Sequence, residues 1–228
     1  MPIARQPKTR GFRVGLAYNR LREMIVWGTL SPGMRLVESE LMTQLGLGRT
    51  PIRTALHRLQ SEGFIAGTGR GKESLRVAPL SQADAADVFE IVGALESIAI
   101  RHAATLDRGA RVTLAAAMRE QNAALARAAR GPKPNPREIY DNDAALHRLF
   151  IDAGAGPRVA RELVTMKLQA ERYMRLYIRA FGDMRPSIAQ HDRMARAIRA
   201  GDPDAAAAAV REQWEGAAAR LAWTPSTS

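Results

Sequence analysis

The sequence predicts a mainly α-helical protein with an N-terminal winged helix-turn-helix, its wing a small β-hairpin, followed by a C-terminal antiparallel bundle of about six helices. Three observations carry this prediction. Strand-like runs occur only between residues 64 and 77. Beyond Pro79 a helical apolar period takes over, and Gly, Pro and Asp interrupt it at short intervals. The expected domains are residues 12–79 and 80–223.

From Phe12 to Trp27, Val14, Leu16, Tyr18, Leu21, Ile25 and Val26 suit one amphipathic helix, which Gly28 ends. Ser31-Pro32-Gly33 is a turn, and Glu38 to Leu45 a second, short helix. After Gly46-Leu47-Gly48, a third helix runs from Arg49 to Glu62, with Pro51 tolerated in its first turn and Gly63 closing it. Two helices joined by a short glycine-containing turn form a helix-turn-helix. Phe64 to Ala66 and Ser74 to Val77 read as two strands around a glycine-rich, basic tip, Gly67 to Lys72.

Charge follows the same division. Residues 1–79 carry 13 Lys and Arg against 5 Asp and Glu, and the rest of the chain 21 against 18. A basic excess confined to one end is the electrostatic footprint of a nucleic-acid-binding module, because neutralised phosphates release counterions. Arg49, Thr50 and Arg53 open the third helix, where side chains can reach base edges and the helix dipole favours phosphate. The chain has no cysteine, which excludes disulfides, thiolate metal sites and cysteine nucleophiles. No apolar run is long enough for a membrane span and the N-terminus is polar and basic, so no membrane partner is expected and the expected compartment is the cytoplasm.

In the second domain, breaks fall near Asp107, at 130–136, 154–157, 181–186 and 201–203. Phasing the stripes places polar residues among apolar ones. Asp143 and His147 fall on the face of Ile139, Leu146 and Phe150; His191 falls with Ile188, Met194, Ala195 and Ile198; Gln213 falls with Val210, Ala217 and Leu221. A buried Asp must be paired, hydrogen-bonded or metal-bound. The group therefore reads either as a hydrogen-bonded core network or as ligands for a divalent cation of the zinc, nickel or manganese class. His57 reads as surface or core polar packing and His102 as a core residue. Tyr173 and Tyr177 share a face with Met166 and Ala170, which suits core packing or a pocket lining. No glycine-rich phosphate loop or serine-nucleophile elbow is present.

The run Leu30 to Leu36, then Glu38, Leu41, Leu45 to Arg53, Ala55-Leu56, Leu59 and Glu62-Gly63, resembles the winged-helix domain of GntR-family regulators over roughly 65 residues. The resemblance implies that Arg35, Arg49, Thr50 and Arg53, with Gly71 and Lys72 at the wing, contact double-stranded operator DNA. Gly48 stands where relatives commonly carry Ser, a change that costs a helix N-cap only a few tenths of a kcal/mol. From about Ser81 to Trp223 the chain resembles the FCD ligand-sensing domain of the FadR branch. The resemblance rests on Ala94-Leu95-Glu96, Asn142-Asp143 with Leu146-His147, Gly154 to Pro157, His191 with Met194, Ala197 and Ile198, and Gly201-Asp202. Many members of that branch bind a divalent metal through one Asp and three His; Asp143, His147 and His191 match three positions and Gln213 stands at the fourth. Val92 replaces an Arg that meets carboxylate effectors in many relatives, so less polar effectors are expected. Val92, Tyr173 and Gln213 are the expected effector-pocket residues.

The function these readings imply is a ligand-responsive, homodimeric, DNA-binding transcription regulator, a repressor released by a small metabolite, and not an enzyme. The alternative is a metal-dependent helical enzyme with an appended DNA-binding module, which would use Asp143, His147 and His191 to activate water. An RNA-binding or architectural basic protein is a third class, and the low aromatic content, 5%, gives it no stacking platforms.

Overall fold

The computed structural model describes residues 10–67, 74–130, 134–181 and 183–221. The chain divides into two compact units, Met1–Leu80 and Ser81–Ser228. Among the described residues no helix is long and apolar enough to cross a membrane.

The first unit has three helices, α1 (Arg10–Val26), α2 (Glu38–Leu45) and α3 (Arg49–Ser61), and two short strands, β1 (Ile65–Ala66) and β2 (Arg76–Val77). Ala17, Tyr18, Leu21 and Ile25 form the buried stripe of α1 and meet Ile52, Ala55, Leu56 and Leu59 of α3. A polar clamp ties the same helices: the Tyr18 hydroxyl donates to Glu62 Oε2 at 2.6 Å, and the Arg58 guanidinium lies 3.8 Å from the Tyr18 ring centroid. Gly46 ends α2 at φ 63°, its N–H donating to the carbonyls of Met42 and Thr43, which gives the sharp turn into α3. Antiparallel β1 and β2 pair Ile65 with Val77 and Ala66 with Arg76. The segment before α2 adds to the outer edge of β2, through Val77 N–H to Met34 O at 2.9 Å and Leu36 N–H to Leu75 O at 2.8 Å.

Among its described residues the second unit contains only helices: α4 (Gln82–Ala103), α5 (Arg108–Ala128), α6 (Pro136–Gly154), α7 (Pro157–Phe181), α8 (Arg185–Ala200) and α9 (Pro203–Leu221). Side-chain caps start four of these helices, at Ser81, Asp107, Asn135 and Asp202, each accepting a backbone N–H at 2.9–3.1 Å. Gly201 closes α8 at φ 76°. Helix α4 is the hub and packs against α6, α7 and α9, while α5 and α8 close the other side. Small residues permit close approach: a Cβ on Gly93 would meet Trp214 Cβ at 3.2 Å, and one on Gly154 would meet the backbone of Ala99 and Ala103.

The fold class and helix breaks agree with the sequence reading, but the strands are shorter than expected at two residues each. His102, expected in the core, is exposed, and its Nδ1–H donates to the Gly154 carbonyl at 3.1 Å. An imidazole near a helix end can bond a neighbouring carbonyl from outside, so apolar neighbours in sequence do not bury it.

Candidate functional site

In the first unit Arg35 is exposed in the segment pairing with β2, forming a backbone bridge with Arg76. Arg49 and Thr50 open α3 and are exposed; Gly48 precedes them as an extended N-cap with no side-chain hydrogen bond. Arg53, one turn further on, sends its Nε–H to Glu38 of α2, 2.8 Å from Oε2 and 3.0 Å from Oε1. This pair joins the two helices of the helix-turn-helix at the surface. His57 is exposed on α3. Gly71 and Lys72 lie outside the described residues, as does the side chain of Tyr177.

The second unit gathers polar side chains from every one of its helices into its core. Asp143 and His147 come from α6, His191 from α8 and Gln213 from α9, and all four are buried. One ligand atom from each of Asp143, His147 and His191 lies within 4.8 Å of the others. His147 Nε2 and His191 Nε2 are 3.2 Å apart, and Asp143 Oδ1 is 3.5 Å from His191 Nε2. The Gln213 amide nitrogen is 2.9 Å from His191 Nε2 and 3.2 Å from His147 Nε2.

The outer partners orient both rings. His147 Nδ1–H donates to Glu96 Oε2 of α4 at 2.7 Å, and His191 Nδ1–H donates to Asn122 Oδ1 of α5 at 3.1 Å. Both acceptors are oxygens, so each Nδ1 carries a hydrogen and each ring turns its Nε2 inward. Asn122 is itself held by donating to Ile188 O and Asp192 Oδ1, each at 2.9 Å. Glu96 accepts two further bonds, from Lys167 Nζ of α7 at 2.6 Å and Trp214 Nε1 of α9 at 2.7 Å.

The electrostatics follow from burial and these neighbours. Burial alone would push the Glu96 carboxyl up, but His147 and Lys167 outweigh it and hold the group at about 2. Burial pushes the Asp143 carboxyl up from its usual 3.8, with Glu96 reinforcing and His147 and Lys167 opposing. Burial, joined by His147 and Lys167, pushes His191 well below its usual 6.5 and keeps it neutral, against the pull of Glu96.

The donor set suits a divalent cation. Two imidazole nitrogens and a carboxylate oxygen converge, and Asp143 Oδ1 is buried with no hydrogen bond, a costly arrangement without a positive partner. Gln213 Oε1 is likewise buried without a donor, and turning the amide about its axis exchanges oxygen for nitrogen beside the two histidines. The chemistry is that of a borderline nitrogen and oxygen site; an amide is a weaker fourth ligand than imidazole.

Sequence reasoning thus brought Asp143, His147, His191 and Gln213 to one place, and missed Glu96, Asn122, Lys167 and Trp214 around them. Val92 is fully buried one turn before Glu96 on α4. Tyr173 is buried elsewhere in the bundle: its hydroxyl donates to Asp84, near the start of α4, and its ring stands edge-on to Phe89 at 6.2 Å. Phe89 packs in turn on Trp214, at 5.1 Å.

A winged helix-turn-helix followed by a helical bundle with a polar centre defines a two-domain regulator with separate DNA-binding and sensing parts. Residues 15–71 match the gntR family of bacterial regulatory proteins, and residues 87–216 match the FCD domain. The chain belongs to that family, in its FCD-bearing FadR branch, a class of ligand-responsive, DNA-binding transcription regulators. Among relatives, an HTH-type transcriptional regulator from the TAR-I ttuE-ttuC' intergenic region of Agrobacterium vitis is 32% identical over 113 residues, which make up 50% of this chain and 65% of that protein. The chain thus spans slightly under two thirds of that relative. A Streptomyces ambofaciens HTH-type regulator is 29% identical over 197 residues, covering 85% of this chain and 78% of its own. The solved structure of E. coli McbR/YncC superposes with a TM-score of 0.74 over 92% of this chain and 97% of its own, at 20% identity, a likeness of fold.

Proposed function

We propose that the protein represses transcription as a cytoplasmic homodimer on operator DNA and that a small metabolite, reaching a divalent cation in the helical unit, releases it. Asp143, His147 and His191 would hold the cation, of the zinc, nickel or manganese class, with the Gln213 amide oxygen as a weak fourth ligand. The cation would supply a positive anchor with open positions for the effector. The observation that carries this reading is the buried, unbonded Asp143 Oδ1 facing two inward Nε2 atoms. Val92 gives the neighbouring α4 face an apolar lining, which favours effectors of low polarity. On the DNA side, Arg35, Arg49, Thr50, Arg53, Gly71 and Lys72 would meet the operator. Release requires the effector to bind the DNA-incompetent state more tightly than the competent one.

Sensing is favoured over catalysis by the state of Glu96. Its carboxylate already accepts from His147, Lys167 and Trp214, so it is not free to take a proton from a substrate or a water. The test is elemental analysis of the purified full chain beside His191→Ala, with operator titrations before and after chelation. One equivalent of metal in the parent, lost in the variant, is the expected result. Equal metal content in both would overturn the site, and chelator-sensitive turnover of a substrate would overturn sensing.

A further inference from the structure

Arg35 and Arg76 stand directly opposite each other where the segment before α2 adds to the edge of β2. The bonds from Val77 N–H to Met34 O and from Leu36 N–H to Leu75 O flank this pair. That makes it a non-hydrogen-bonded position, the closer of the two kinds in an antiparallel ladder. Leu36 and Val77, the next residues along, are buried, so the two arginines share the outer face. Both are exposed, and Ala66, which faces Arg76 from β1, is too short to shield them. Like charges directly opposite on a sheet repel. Neither arginine makes an ion pair among the described residues. Arg76 Nη1 donates to the Gly33 carbonyl at 3.1 Å, and the guanidinium fork carries further N–H donors.

Two cations held together at a cost to the free protein suit a polyanion. Their place in the unit says which one. Arg35 lies three residues, at most about 11 Å of extended chain, before Glu38. The Glu38 carboxylate in turn holds Arg53 of α3 at 2.8 Å. Arg76 lies four residues after Lys72. The pair thus flanks the helix that opens with Arg49 and Thr50. A helix seated in the major groove reads base edges, and whatever flanks it meets the sugar-phosphate backbone bordering the groove.

We propose that Arg35 and Arg76 form a two-pronged phosphate clamp, each guanidinium taking its own phosphate on one DNA strand. Repulsion splays the two forks, and the clamp sets the register of α3 in the groove without reading sequence. The inference rests on the DNA-binding function and on the reading of Arg35 as a DNA contact. It adds Arg76, and it separates this positioning pair from Arg49, which would read bases.

Anisotropy titrations of the full chain with a short random-sequence duplex, over a range of salt concentrations, test the clamp. The variants are Arg35→Gln, Arg76→Gln, both together, and Arg76→Lys. Each single glutamine variant should bind about three- to tenfold more weakly near about 0.1 M salt. Each should also lower the slope of log affinity against log salt by about one, and the double variant by about two. Arg76→Lys keeps the charge and should keep the slope. A misfolded fraction would weaken binding equally at every salt concentration and leave the slope alone, so the slope separates lost charge from lost folding. Parental slopes in both single variants would overturn the clamp. A lowered slope in one single variant and not the other would overturn the pairing and keep that one residue as a DNA contact. A parent with no affinity for the duplex would overturn the reading of Arg35 and the clamp together.

Discussion

His147 donates its Nδ1–H to Glu96 across 2.7 Å, with both side chains wholly enclosed by the bundle, at 1% and 0% exposure. The bond fixes which imidazole nitrogen faces the centre, so a residue of α4 sets the orientation of a ring on α6 that would be a ligand in the proposed site.

Glu96→Gln is therefore expected to cost the metal-free protein about 1–3 kcal/mol, because the buried acceptor of His147 and Trp214 loses its charge and the part-exposed Lys167 its partner. Urea unfolding measures this. The same variant should weaken metal binding about 10–100-fold in a chelator competition. An unchanged affinity would separate Glu96 from the centre.

The metal-free protein should lose stability as the solution turns acidic, through two groups. His191 is held well below 6.5, so below that pH the unfolded chain takes up a proton that the folded chain refuses. The resulting loss is at most about 1.4 kcal/mol per pH unit. Glu96, depressed from 4.5 to about 2, stabilises fully above about 4.5 and loses that contribution as the pH falls toward 2. Asp143 works the other way, since its raised carboxyl keeps a proton in the folded state. Urea melts of chelator-treated protein between about pH 7.5 and 5 should show a decline that His191→Gln flattens and Asp143→Asn steepens.

Gly154→Ala should destabilise the helical unit by about 1–3 kcal/mol. The added methyl would enter the space of the Ala99 carbonyl and come within 2.6 Å of the Ala103 nitrogen, and backbone atoms in a packed helix cannot step aside. Thermal unfolding of the variant checks this, and a parent-like midpoint would show that α6 can shift on α4.

At the DNA-binding unit, Arg49→Ala should weaken specific binding by about 1–3 kcal/mol if its guanidinium reads a base. Glu38→Gln should do the reverse. It removes the carboxylate that engages Arg53 and steepens the salt dependence of binding by about one counterion. Anisotropy titrations of operator and scrambled duplexes at several salt concentrations distinguish the two effects.

The architecture was legible because each helix carries its own punctuation: Gly28, Gly46 and Gly201 close helices, and Ser81, Asp107 and Asn135 open them. The inner polar group was legible for a related reason, since each member interrupts an apolar stripe. The same signal was present for two residues that were missed. Glu96 sits in the row Val88, Val92, Ile100, and Asn122 in the row Leu114, Met118, Leu125. A misplaced carboxylate or amide on a core face marks a network member even when its residue type suggests no ligand. Lys167 and Trp214 gave no such sign, because a long amphipathic side chain looks the same whether it points to water or lies along a core. The Arg53 to Glu38 pair joins two helices across 15 residues, beyond what periodicity within either could reveal.

The inner cluster also bears on how the chain folds. Glu96 is separated from His147 by 51 residues and from Trp214 by 118, and all six helices of the unit supply a member of the network. No short stretch of the chain can assemble the centre in advance, so it forms late, after distant segments have already found one another. A bound cation would then act as a latch on a finished bundle and not as a seed for it, and should slow unfolding far more than it hastens folding.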